Sequence, residues 1–143
     1  MEIERKFLID ESKINYKEYP HKSLEQAYLC TSPVIRVRKE DDTYYMTYKG
    51  KGMMTREEYN LPLNKEAYES LKEKREGNLI SKTRYLIPFK NYTIELDDFA
   101  SPKPLLMAEV EFPTEEEANS FVGPEWFVED VTGDPKYHNS NMI

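Results

Sequence analysis

Glu2-Ile3-Glu4-Arg5-Lys6-Phe7-Leu8-Ile9 begins the readable pattern of this chain, and its period is two. Glu2, Glu4 and Lys6 fall on one set of alternate positions, Ile3, Arg5 and Phe7 on the other. A strand points successive side chains to opposite faces, so this is a β pattern with a charged side. The same alternation recurs through the 143 residues, at Ser23–Cys30, Val34–Lys39, Thr43–Lys51, Arg56–Leu63, Ile80–Pro88, Tyr92–Phe99, Leu105–Phe112 and Phe127–Val131. These runs are rich in Tyr, Ile, Val and Thr, which suit a pleated surface. Ser32-Pro33, Glu40-Asp41-Asp42, Lys90-Asn91 and Ser101-Pro102 supply turns between them.

Two stretches have helical spacing instead. Asn64–Glu76 offers Asn64 as N-cap, a stripe of Ala67, Tyr68 and Leu71, and Gly77 as the stop. Thr114-Glu115-Glu116-Glu117 is a capping box, followed by Ala118, Phe121 and Val122. No linker, repeat or low-complexity segment interrupts the chain. The expectation is one domain over residues 1–143, mainly β (α+β), built of antiparallel strands with two peripheral helices.

Composition narrows the function. Charged residues are 33% and hydrophobic residues 38% of the chain, with a formal net charge of -7. Aromatic residues reach 13%, which argues against disorder. No apolar run is long enough for a membrane helix. A pI of ≈ 5.0 argues against a general nucleic-acid binder, so neither nucleic acid nor membrane is an expected partner. Cys30 is the lone cysteine, which excludes an internal disulfide and a thiolate zinc site. Met1–Lys6 lacks an apolar signal core, so the expected location is cytoplasmic. Neither of the common glycine-rich phosphate loops is present. Any phosphate must be held by side chains.

The charge is sorted by strand. Arg36 and Arg38 share a face, as do Lys82 and Arg84, whereas Glu95 and Asp97, and Glu109 and Glu111, form acidic pairs. Lys49 and Lys51 are another basic pair, and Arg56 shares its face with Glu58. A face that is merely solvated mixes signs; like charges at i and i+2 lie about 6.5–7 Å apart and repel. Their repetition implies something of opposite sign between them. Paired carboxylates suit a hard divalent cation. Rows of Arg and Lys suit a polyanion, with Arg binding bidentately. If the sheet closes into a barrel, one face becomes an interior lined with charge.

The ordered motifs carry a more specific resemblance. Glu2-Ile3-Glu4-Arg5-Lys6 has the form E-x-E-x-K. It is followed by Tyr28-Leu29, Ile35-Arg36-Val37-Arg38, Thr47-Tyr48-Lys49-Gly50, Arg56-Glu57-Glu58 and Ser81-Lys82-Thr83-Arg84-Tyr85. Glu95-Leu96-Asp97-Asp98-Phe99, Ala108-Glu109-Val110-Glu111 and Asp130-Val131-Thr132-Gly133-Asp134 complete the series. Over essentially its whole length the chain resembles the CYTH superfamily, the triphosphate tunnel metalloenzymes. The resemblance implies a closed eight-stranded antiparallel barrel forming a charged tunnel. It assigns Lys6, Arg36, Arg38, Lys49, Arg56, Lys82, Arg84 and Lys136 to phosphate binding. It assigns Glu2, Glu4, Asp97, Glu109 and Glu111 to one or two Mg²⁺ or Mn²⁺ ions, with Glu95 alongside. Asn60 departs from the pattern, standing where many relatives carry a second acid.

The implied activity is divalent-metal-dependent hydrolysis of a linear triphosphate. Tripolyphosphate, a nucleoside triphosphate or thiamine triphosphate would be the substrate. The alternatives are a class IV-type adenylate cyclase and a non-catalytic triphosphate- or polyphosphate-binding module. Tyr28, Glu58 and Lys6 are the candidate catalytic residues. Tyr28 is equally readable as a barrel aromatic, because an ordinary tyrosine pKa of about 10 makes a poor base near neutrality. Lys136 stands in a C-terminal segment able to close the tunnel. His138 reads as a surface residue and Tyr44, Tyr45 and Tyr48 as wall packing. A homodimer is expected from relatives of this size.

Overall fold

The computed structural model describes residues 1–143. Ten strands form one antiparallel sheet: β1 (Glu2–Ile9), β2 (His21–Thr31), β3 (Val34–Glu40), β4 (Thr43–Lys49), β5 (Thr55–Arg56), β6 (Glu58–Leu63), β7 (Ile80–Phe89), β8 (Tyr92–Ser101), β9 (Leu105–Glu111) and β10 (Phe127–Asp130). Their order is β10-β1-β9-β8-β7-β2-β3-β4-β6, with β5 pairing β1. Only Glu57 separates β5 from β6. The sheet that ends on β6 therefore returns through Arg56↔Glu2 and Thr55↔Ile3 to β1, which closes the barrel. Counting β5–β6 as one interrupted stave, eight staves make the wall, and β10 adds outside them.

The tight hairpins sit at polar turns. Asp41 and Lys90 both adopt positive φ, at 51° and 54°, in the β3–β4 and β7–β8 connections. Helix α1 (Lys65–Lys72) is capped by Asn64, whose side chain accepts from the Ala67 amide at 2.7 Å. It stops four residues before the predicted Glu76. The apolar stripe ends at Leu71, and the Glu76 amide donates instead to the Tyr28 carbonyl at 2.7 Å. Gly77 then turns at φ 64°, where an added Cβ would lie 2.8 Å from the Ile143 carbonyl oxygen. Helix α2 (Glu115–Ser120) is capped by Thr114, as its sequence predicts.

The barrel is apolar outside and charged inside. Outward-facing Phe7, Ile94, Leu96, Ala108 and Val110 are buried under α2, Trp126 and the segment around Tyr16. Arg5 faces the same way and ties this cover down, donating to the Ala118 carbonyl at 2.8 Å and to Asp130 at 2.7 Å. Opposite the pair Ala27 and Val37, α1 buries Tyr68.

The inward rows carry the charge, and each row changes character along its strand. Glu2-Glu4-Lys6 gives way to Leu8, Glu111-Glu109 to Met107, Glu95-Asp97 to Phe99, and Arg84-Lys82 to Ile80. These apolar ends pack with Tyr28, Val34, Tyr137, Met142 and Ile143. The interior is thus a charged cavity plugged at one end, rather than charged throughout. No helix is long and apolar enough to cross a membrane.

Candidate functional site

The charged interior encloses a cavity of ≈ 190 Å³. Its basic wall comes from β3 and its neighbours. Arg36 and Arg38, at i and i+2, are only 5% and 6% exposed. Arg38 is held by the Gln26 amide oxygen, 2.9 Å from its Nε, and by the Tyr45 hydroxyl at 3.0 Å. Arg36 reaches the Tyr28 hydroxyl at 3.3 Å, and its buried Nε has no partner. No carboxylate lies within 4.0 Å of Arg36, Arg38 or Arg56. Arg56 is held only by the Gly50 carbonyl, at 3.2 Å. Burial pushes Arg38 below the usual guanidinium range, and neighbouring Arg36 and Arg84 push the same way. Burying like charges without counter-charge is costly, and an anion entering the cavity offsets that cost.

The remaining inward cations are spoken for. Lys49 Nζ lies 2.9 Å from Glu2 and 3.4 Å from Glu58; Lys6 Nζ lies 3.6 Å from Glu109. Arg84 bridges Glu95 at 3.1 Å, Asp97 at 2.7 Å and Glu109 at 3.1 Å. Burial alone would raise the Glu109 carboxyl, but Lys6, Arg84 and Lys82 hold it well below the ordinary range.

At the open end pairing is sparser: Glu2 keeps Lys49, but no cation lies within 4.0 Å of Glu4 or Glu111. Ligand oxygens of Glu2, Glu4 and Glu111 lie within 4.8 Å of one another. All three carboxyls are raised. For Glu111 the value reaches about 7, through partial burial and the charges of Glu95, Glu2, Glu4 and Glu58. For Glu4 the causes are burial and Glu109; for Glu2 they are burial and its contact with Glu58. Three hard oxygen donors at this spacing, with mutual repulsion to relieve, fit a divalent cation.

Glu58, beside Lys49, is the counterpart of Glu2. Burial works to raise it, but the hydrogen bond with Glu2 and the cations Lys49 and Arg36 win, leaving it below the usual carboxyl range. Asn60, at the departure from the family pattern, accepts from Thr47 at 2.6 Å and donates to Glu58 at 3.2 Å. It therefore orients Glu58 without adding charge.

Three of the residues assigned from sequence stand elsewhere. Lys82 and Asp97 lie at the boundary where the inward rows turn apolar. Both side chains are 0% exposed, 2.7 Å apart, and outside the cavity lining. Lys136 has a side chain 71% exposed, lies over the Tyr137 ring and is 4.0 Å from Asp134, away from the cavity. The C-terminal segment nonetheless reaches the site, through His138, Asn139 and Ser140. His138 is thus a lining residue rather than a surface one. Burial and the cations Lys6, Arg56 and Lys49 lower it, against the pull of the Thr132 carbonyl. Tyr45 also lines the cavity rather than packing in the wall. Its place was readable, because it shares a strand face with Thr47 and Lys49. Glu40 shares its face with Arg36 and Arg38, and Lys22 and Gln26 share theirs with Tyr28, so parity allowed them, but no charge pairing within a strand marked them out.

Comparison with known proteins agrees with this geometry. Residues 1–131 match the family model of the CYTH domain. An inorganic triphosphatase of Nitrosomonas europaea is 38% identical over 146 residues, covering 99% of this chain and 95% of the relative. An inorganic triphosphatase of Acetivibrio thermocellus is also 38% identical, over 99% of this chain and 92% of the relative. The fold overlays a crystal structure of an inorganic triphosphatase with a TM-score of 0.69 at 36% identity, covering 99% of this chain and 93% of that one. A putative adenylate cyclase from Bacillus halodurans shares the fold, with a TM-score of 0.61, 18% identity and coverage of 83% and 84%. A barrel with this strand order, these sorted inward rows and these relatives places the chain in the CYTH family.

Proposed function

We propose that this chain hydrolyses inorganic tripolyphosphate to pyrophosphate and orthophosphate with a divalent cation, Mg²⁺ or Mn²⁺. The observation that carries the reading is the juxtaposition inside one cavity of Arg36, Arg38 and Arg56, none paired with an acid, and the Glu2, Glu4 and Glu111 cluster. The names of the two relatives support the same substrate. A volume of ≈ 190 Å³ is below the roughly 300–1,000 Å³ of pockets for drug-sized ligands, which favours a phosphate chain without a nucleoside. The unit is the whole chain as one domain, since His138 and Glu2 line the same cavity.

In this reading Arg36, Arg38, Arg56, Lys6 and Lys49 hold the phosphate oxygens and stabilise charge as it spreads in the transition state. Arg84 orders the acidic wall behind them. Glu2, Glu4 and Glu111 would hold the cation, whose chemistry is to neutralise phosphate oxygens. Glu58, kept anionic and oriented by Asn60, accepts a hydrogen bond from the attacking water and takes its proton. The new O–P bond forms as the P–O–P bridge breaks. Tyr28 positions Arg36.

Purified protein with Mg²⁺ or Mn²⁺ is expected to release orthophosphate from tripolyphosphate, and EDTA to abolish release. Glu111 must lose a proton before it serves as an anionic ligand. At limiting metal the rate should therefore fall about tenfold per pH unit below 7. Excess metal should move that break to lower pH. Tight binding without turnover at any pH would instead make the protein a binding module.

A further inference from the structure

Along β3 the inward row runs from Val34 at the plug to Arg36, Arg38 and then Glu40 at the rim. Glu40 is the one inward-facing acid on the wall made by β2, β3 and β4, Glu25 facing outward to Tyr68, and it faces the track the two arginines define. It is held there from two sides. Lys22 Nζ lies 3.3 Å from its Oε1, and the Tyr45 hydroxyl donates to the same oxygen at 3.5 Å. Tyr45 in turn receives Arg38 at 3.0 Å, so Glu40 is fixed relative to the outermost arginine. Lys22 and Glu40 side chains are 29% and 23% exposed, which puts the pair at the opening.

We propose that Glu40, clamped by Lys22 and Tyr45, ends the cationic track and sets the length of phosphate chain the cavity accepts. The inference rests on the polyphosphate reading above. Successive inward positions are about 6.5–7 Å apart, so Arg36 and Arg38 serve a short anion. A further phosphate passing Arg38 meets a carboxylate whose attraction for Lys22 is already satisfied. Juxtaposed like charge is how a binding surface rejects the wrong ligand. Glu40→Gln keeps the side chain's size, removes the negative charge and releases Lys22 to bind phosphate. Lys22→Met does the opposite, leaving Glu40 unneutralised.

The test compares linear tetrapolyphosphate with tripolyphosphate on wild type, Glu40→Gln and Lys22→Met. It reads kcat/KM with Mg²⁺ and, separately, Kd by calorimetry in EDTA, where metal-dependent turnover is absent. The expected result is a shift of roughly tenfold in the tetra-to-tri ratio toward the longer chain for Glu40→Gln, and a shift away from it for Lys22→Met. Equal ratios in all three folded proteins would overturn the inference. If wild type binds both chains but hydrolyses neither, the hydrolase reading fails, while the Kd ratios still decide the role of Glu40.

Discussion

An Arg36→Met protein is expected to lose tripolyphosphate turnover by on the order of 10²–10³-fold while melting no lower than wild type. The two halves of that expectation have one cause. Arg36 is buried, has no carboxylate partner and leaves its Nε unbonded. Its only side-chain hydrogen bond, at 3.3 Å, is to the Tyr28 hydroxyl. Without ligand it is a cation removed from water and set beside Arg38, so methionine of similar reach relieves a cost. With ligand it is the donor deepest in the track. Loss of activity together with retained or raised Tm marks a residue kept for binding at the expense of stability. Thermal melts beside phosphate-release kinetics check it. A fall of several degrees in Tm would show that Arg36 supports the fold instead.

Asp97 is expected to behave in the opposite way. Its carboxylate serves two buried cations: Lys82 at 2.7 Å, and Arg84 through Nε at 2.7 Å and Nη2 at 2.9 Å. Burial alone would raise its pKa, yet Arg84 and Lys82 hold it below the ordinary value. Asp97→Asn leaves Lys82, fully buried and already lowered to about 8 by desolvation, with no carboxylate partner. Breaking a buried pair from one side costs about 3–5 kcal/mol, which for a chain of this size lowers Tm by roughly 10 °C. Lys82→Met should cost less than about 1.5 kcal/mol, because Asp97 keeps both bonds from Arg84. Mn²⁺ affinity should survive in Asp97→Asn if the protein is measured below its melting range. Equal stability losses for the two variants would contradict this asymmetry, and a selective loss of metal binding would return Asp97 to the metal site.

The contrast between Arg36 and Asp97 shows what parity alone delivers. Strand alternation placed the charged rows on one face, because a period of two survives any closure of the sheet. It also located the residues that meet in the cavity: Glu2, Glu4 and Lys6 across from Arg36, Arg38 and Lys49. Parity says nothing of depth, however. Asp97 and Glu95 share a face, as do Lys82 and Arg84, yet Asp97 and Lys82 sit where Phe99, Met107 and Ile80 fill the barrel. That boundary depends on which rows come level after closure, which no single strand encodes. Register likewise brings Lys22 to Glu40 and Gln26 to Arg38. The same limit applies at the C-terminus. A short segment with two 3₁₀ turns puts His138 over the cavity and Lys136 outside it, and neither turn has a periodic signature. Helix α1 ended early for a comparable reason: its Glu76 amide bonds to β2, a contact invisible in the helix's own sequence.

The interior also explains the composition. A chain with 33% charged residues folds because its apolar residues coat the outside of the barrel under α2, α1 and the Trp126 segment. The net charge of -7 belongs to the molecule as a whole, while the β2–β3–β4 wall is locally basic.

The most direct measurement of the central claim is where metal and phosphate sit. Crystals grown with Mn²⁺ and tripolyphosphate should show an anomalous peak within coordinating distance of Glu2, Glu4 and Glu111. Phosphate density, intact or cleaved, should lie on Arg36 and Arg38. Metal bound elsewhere, or phosphate confined to the outer surface with the inward arginines untouched, would contradict it.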